Sequence, residues 1–242
     1  MSYKLIDLEK DIPLTEGSKD SIHYHIAFSF IELTDYHNQM TLKLVKQELN
    51  KQFFNAEKLQ FSSKPKENFN TLIKAITPAY REEGLKLKNE MKEMSYVLNY
   101  ELKKSSKIIY NQNEVLIVEI ESYIYAGGAH GMSSIQYLHF DMKSGKEFGI
   151  DEVFDPNAKE NLKELLIKKC EEMKKDGSSM LFEDAKAEIS DNFYFDKQNL
   201  NFVYNPYEIG PYAAGYITIP IPIENLKKLI IKDGPMGFWA VQ

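Results

Sequence analysis

His130 stands in a run of small residues, Ala126-Gly127-Gly128-Ala129-His130-Gly131, directly behind Tyr125. An imidazole titrates near neutrality, so it suits a general base or a polar ligand contact. The flanking glycines allow backbone to approach closely and leave N–H groups free to meet a ligand or another loop. Glu208 lies in a second unusual run, Asn205-Pro206-Tyr207-Glu208-Ile209-Gly210-Pro211-Tyr212-Ala213-Ala214-Gly215. A carboxylate between Tyr207 and Tyr212 suits acid–base work in a pocket. The tyrosines themselves combine a broad face with a polar tip, which fits a sugar ring or a protein partner. His130 with Glu208 or Asp141 would supply the acid and base of a hydrolase, given convergence on one substrate atom. Each residue also has a plainer use. His130 can lock a neighbouring loop, Glu208 can cap N–H groups of its own loop, and Asp141 can cap the Ser144-Gly145 turn. Tyr204, Tyr207, Tyr212 and Tyr216 can pack between strands. The plainer uses weigh more, so no catalytic residue is assigned. The expected ligand contacts are Tyr125, Gly127, Gly128, His130, Tyr207, Glu208 and Tyr212.

Other reactive groups carry less. His23 and His25 share one face at strand spacing, but no third ligand is near, so no metal is expected. Cys170 falls on an apolar helical stripe and reads as a small buried hydrophobe. Nucleophile elbow, phosphate loop, His-Glu-x-x-His and paired cysteines are missing from the sequence, so no cofactor is expected.

Composition narrows the partners. The chain has 242 residues and a net charge of −6, which disfavours a nucleic-acid backbone as partner. Fifteen tyrosines and fourteen phenylalanines suit sheets. No apolar run approaches the roughly 18–20 residues of a membrane helix. A single cysteine excludes an intrachain disulfide and fits either a reducing compartment or an envelope protein.

The elements that must hold these residues follow from periodicity. Strands are expected over Ser21–Leu33, Ser95–Leu102, Glu114–Tyr125 and Ser134–Met142, the last three forming a meander around the glycine loop. Helices are expected over Thr41–Phe54 and Phe69–Met94, the second kinked or broken near Pro78, with a polar loop over Lys58–Asn68 before it. Asp155-Pro156 opens a further helix that Lys174, Lys175 and Gly177 close. Short helices are expected over Met180–Ile189 and Ile223–Ile231. Asn192–Phe195 and Leu200–Tyr204 form a hairpin, and Tyr216–Ile221 is a last strand.

Three segments, Tyr125–Gly131, Phe140–Lys146 leading into Asp151–Phe154, and Phe202–Gly215, resemble the DUF4163 and DUF3298 pair of extracytoplasmic domains. That pair is similar to the outer portion of RsiV-type lysozyme-sensing anti-sigma factors and to domains accompanying peptidoglycan deacetylases. The family often carries Ala where Gly210 stands and Thr where Ala126 stands. The resemblance implies a non-catalytic module of the bacterial envelope, periplasmic or lipid-anchored through a removed N-terminal segment. Its partner would be a lysozyme-like protein or a peptidoglycan fragment, with no nucleic acid and no cofactor. Neither sigma-factor control nor deacetylation is implied. The expected fold class is α+β, antiparallel sheets with helices packed on one face in two closely joined halves. The halves are residues 1–150, DUF4163-like, and 151–242, DUF3298-like. The Gly loop and the Pro-Tyr loop are expected to make one recognition surface.

Overall fold

The computed structural model describes residues 1–17, 22–56, 58–90 and 98–240. Among them the chain forms an α+β fold with two sheets. The larger has the strand order β1-β2-β3-β4-β5-β6, the smaller β7-β8-β9. The strands are β1 Ser2–Pro13, β2 His23–Asp35, β3 Tyr100–Gln112, β4 Val115–Tyr125, β5 Met132–Asp141, β6 Lys146–Glu147, β7 Phe193–Phe195, β8 Asn199–Tyr204 and β9 Ile217–Pro222. The helices are α1 Gln39–Phe54, α2 Pro65–Glu90, α3 Ile150–Val153 and α4 Lys159–Asp176. Two compact units result: Met1–Lys107 with Ile120–Ser133, and Ile108–Glu119 with Ser134–Gln242.

In the first unit β1 pairs antiparallel with β2 along its whole length. β1 was not foreseen; it is a charged, solvent-exposed edge strand whose alternation is masked by acidic residues on one face. β2 pairs with β3 in parallel, which departs from a purely antiparallel sheet. Parallel neighbours need a long crossover, and α1 and α2 supply it. Phe28 and Phe30 of β2 meet Phe53 of α1 edge to face, with centroids at 5.5 and 4.8 Å. The buried amides of Asn50 and Asn68 tie α1 to α2 (3.0 Å).

α2 begins at Pro65, inside the segment expected as loop, and continues unbroken through Pro78. Pro78 is exposed, so the carbonyl one turn back can turn to water. The Thr77 hydroxyl adds a bond to the Ile73 carbonyl (2.6 Å). Residues 91–97, expected to end this helix and start the next strand, lie outside the described residues. β3 and β4 are joined by Asn113-Glu114, both at positive φ (53° and 59°), the signature of a tight two-residue hairpin turn.

In the second unit Leu162, Leu166, Cys170 and Met173 of α4 pack on Phe193, Phe202 and Ile219 of the small sheet. Cys170 is buried, as its place in the stripe implies. Asp155 caps the 3-10 turn Pro156–Ala158 that leads into α4, accepting from Asn157 N–H (2.8 Å), and Gly177 ends α4 in the left-handed region at φ 67°. Two expected helices are corrected. Residues 180–189 are irregular because their backbone serves other elements: Phe182 N–H donates to Ile209 O (3.0 Å), and Lys174 Nζ donates to the carbonyls of Glu183 and Ala185. Residues 223–231 hold only a 3-10 turn at Ile223–Asn225. Beyond it, Ile230 bridges to Phe154, and Ile231 N–H donates to Val153 O (2.9 Å).

Candidate ligand-binding site

Asn205 fixes the start of the Pro-Tyr loop. Its Oδ1 accepts from Ile135 N–H on β5 (2.7 Å), and its own N–H donates to Glu208 Oε2 (2.7 Å). Tyr207 N–H donates to Gly210 O (2.9 Å) and Gly215 N–H to Tyr212 O (3.0 Å). Gly210 is packed so tightly that an added Cβ would lie 2.4 Å from the Met180 carbonyl. The loop is therefore rigid from within. It holds Tyr207 at φ 74°, an uncommon and strained conformation for a non-glycine. Tyr207 is 51% exposed, and its ring lies 6.0 Å from that of Tyr212 at 29°.

The Gly loop belongs to the other unit. Gly127 and Gly128 take φ 86° and 94°, which L side chains avoid. Tyr125 Oη donates to Gly128 O (3.0 Å) and clips the loop onto β4. His130 Nδ1 lies 2.9 Å from Gly131 O. Gly131 leaves room for the Tyr123 ring, which an added Cβ would meet at 2.4 Å.

The three acid–base candidates are each engaged locally. Glu208 caps its own loop. Asp141 accepts from Lys143 N–H (3.0 Å) and from Ser144 N–H and Oγ–H (3.3 and 2.6 Å), closing the turn after β5. His130 falls in one compact unit, Asp141 and Glu208 in the other. His25 Nδ1 lies 2.8 Å from Asp11 Oδ1, and among the described residues no group of three or more His, Cys, Asp or Glu is placed to hold a metal ion.

Two features of the second unit went unnoticed in the sequence. One is a cleft of about 570 Å³ lined by Tyr110, Tyr137, Tyr194, Phe195, Phe238 and Trp239, with Glu119, Asp196 and Lys197 among its polar groups. Tyr110 and Phe238 lie parallel to within 9°, centroids 6.5 Å apart, and Phe195 stacks on Trp239 at 6.3 Å and 14°. Glu119 is 8% exposed, and its Oε2 accepts from the Tyr137 hydroxyl (3.0 Å). Asp196 accepts from Gln198 and Asn199 N–H (both 2.7 Å); these bonds hold its carboxyl below the usual range although burial pulls the other way. Burial pushes the Tyr110 hydroxyl up, so it stays a neutral donor. The other feature is His139 on β5, a buried imidazole in an otherwise apolar stretch. Both were legible only as aromatic or polar residues scattered along the chain.

Residues 151–224 match the family model described as a protein of unknown function, DUF3298. Over that stretch this chain is similar to the DUF3298 family. Residues 20–133 match the model described as Deacetylase PdaC, in the place where DUF4163 was expected. The segment that matches DUF3298 covers α3 from Asp151, and all of α4, the small sheet and the Pro-Tyr loop. A DUF3298 family member of Bacteroides fragilis has the same fold, at TM-score 0.86 and 20% identity, over 100% of this chain and 98% of that one. A DUF3298 family protein of Pseudomonas aeruginosa PAO1 is similar at TM-score 0.66 and 15% identity, over 95% and 94% of the two chains. No curated protein matches the sequence.

Proposed function

We propose that this DUF3298-containing chain is a non-catalytic binding module of the bacterial cell envelope, and that its aromatic cleft takes a cell-wall glycan. The cleft carries the reading. Its volume, about 570 Å³, falls in the range of roughly 300–1,000 Å³ usual for small-ligand sites. Its walls are aromatic faces with acids, amides and one lysine between them, the mixture that a sugar's apolar faces and hydroxyl edges require. The match of residues 20–133 to Deacetylase PdaC supports an extracytoplasmic setting. A binding role rather than hydrolysis is favoured because Glu208, Asp141 and His130 are occupied by bonds within their own loops.

A protein partner is the second reading, favoured by the strained, half-exposed Tyr207 stacked beside Tyr212. On that reading Glu208 and Tyr212 join Tyr207 in the recognition surface, in keeping with the expectation from the sequence. Calorimetric titration with soluble peptidoglycan fragments and with a lysozyme-like protein separates the two. On the glycan reading fragments bind, Tyr194→Ala weakens them by about 1–2 kcal/mol, and Tyr207→Ala leaves them unchanged. On the protein reading Tyr207→Ala is the damaging variant. Absence of both interactions at high micromolar concentration overturns the proposal.

A further inference from the structure

We propose that a second cleft in the same unit, floored by His139, binds a small ligand through a primary ammonium group. It is independent of the glycan reading: Tyr137 borders both clefts, but the polar groups invoked here belong to this one alone. The cleft has a volume of about 540 Å³ and is lined by Tyr137, His139, Glu147, Glu152, Asp191 and Asn192, among others, with no lysine or arginine in its walls.

His139 is 2% exposed. Its ring is clamped against Phe193, centroids 4.0 Å apart at 15°, and its Nε2 lies 2.7 Å from Phe193 O. A carbonyl can only accept, so Nε2 carries the proton. Burial holds the imidazole neutral, its pKa pushed down to about 4, with the Phe193 bond and the Asp191 charge opposing. Nδ1 is then a bare acceptor. It makes no hydrogen bond among the described residues, and His139 is part of the cleft wall. A buried acceptor opening on a cleft, with no protein donor, asks for a donor from outside.

The surrounding groups specify the kind of donor. Asp191 Oδ1 accepts from Ile150 N–H (2.6 Å) and Glu152 Oε2 from Gly149 N–H (2.8 Å). These bonds fix both carboxylates and leave Asp191 Oδ2 and Glu152 Oε1 for a ligand. Gly149 is needed for this placement, since a Cβ there would sit 2.6 Å from Asp191 Oδ1. Glu147 adds a third negative charge to the walls. A site with three carboxylates, a neutral acceptor and no cationic side chain disfavours anions and rewards a compact cation with several N–H groups. An ammonium group, with three donors, meets that description. Both an amino sugar and an amino-acid or peptide amine carry it.

Nitrogen NMR of the histidine side chains near neutral pH reads the site directly. Methylammonium, glucosamine and lysine amide are added in separate titrations, with N-acetylglucosamine as the uncharged control. The expected result is a saturable shift of His139 Nδ1 with the amines and none with the acetylated sugar. Tighter binding of glucosamine than of lysine amide assigns an amino sugar; the reverse order assigns an amino-acid or peptide source. Asp191→Asn keeps the acceptor for Ile150 N–H and removes the charge, so it should weaken binding about tenfold, the worth of one charged hydrogen bond. No Nδ1 shift, an equal shift with N-acetylglucosamine, or undiminished affinity in Asp191→Asn overturns the proposal.

Discussion

Two buried bases make the stability of this protein depend on pH. His139 has a folded pKa near 4 against an ordinary 6.5. The unfolded chain therefore takes up a proton first as pH falls. The His139 contribution to stability is complete above about pH 6.5 and is lost progressively down to about pH 4, by roughly 3 kcal/mol in all. Denaturant midpoints measured across that window should fall for the native protein. In His139→Phe they should start lower, because Phe193 O loses its donor, but slope less; an unchanged slope refutes the assignment. Lys104 behaves analogously at the alkaline end. Its Nζ donates to Phe53 O (2.6 Å) and lies 5.5 Å from the Phe53 ring centre. Burial pushes its pKa down to about 8 from 10.5. Between those values the unfolded chain holds the extra proton, so this residue makes stability rise with pH. Lys104→Met should lose that rise, as thermal melts between about pH 8 and pH 10 will report.

At the scale of elements, two asparagines take the place of a missing strand. β5 exposes an edge at Ile135 and Tyr137. Asn205 Oδ1 accepts from Ile135 N–H (2.7 Å), Asn192 Oδ1 accepts from Tyr137 N–H (3.0 Å), and Asn192 Nδ2 donates to Ile135 O and Val203 O (both 3.0 Å). Asn205→Ala leaves the Ile135 N–H unpaired and frees one end of the Pro-Tyr loop. It should cost about 1–2 kcal/mol in chemical denaturation and raise hydrogen exchange at residues 205–215. Gly210 poses a sharper question, because the family resemblance implies alanine at that place. In this chain that Cβ would meet the Met180 carbonyl at 2.4 Å and the Ile217 side chain equally closely. The irregular segment 180–189 must therefore sit differently in a protein with alanine at this position. The loop and the caps at Asp155 and Gly177 were legible in the sequence because proline, glycine and aspartate act through their own backbone. The expected helices over 180–189 and 223–231 failed for the opposite reason. Their local periodicity was overridden by bonds to Ile209, to Lys174 and to the chain at Val153–Asp155.

For the whole molecule, what could be read ahead was what composition and local pattern determine: the α+β class and the helical stripe that buries Cys170. The two clefts could not. Tyr110, Tyr137, Tyr194 and Trp239 are far apart along the chain, and only strand pairing and the final turns gather them. The same holds for His139, Glu152 and Asp191. Electrostatics now separates the possible ligands in one experiment. Raising salt from about 0.01 M to about 1 M shortens the screening length from roughly 30 Å to 3 Å. A neutral glycan in the aromatic cleft is held by stacking and short hydrogen bonds, so its affinity should hardly change. An ammonium ligand at Asp191 and Glu152 draws on fixed charge and should weaken steadily. A basic protein docking on this acidic chain should lose association rate most of all, because long-range steering is the first contribution that salt removes. Binding of peptidoglycan fragments that collapses with salt would move the glycan out of the aromatic cleft and onto the charged surface.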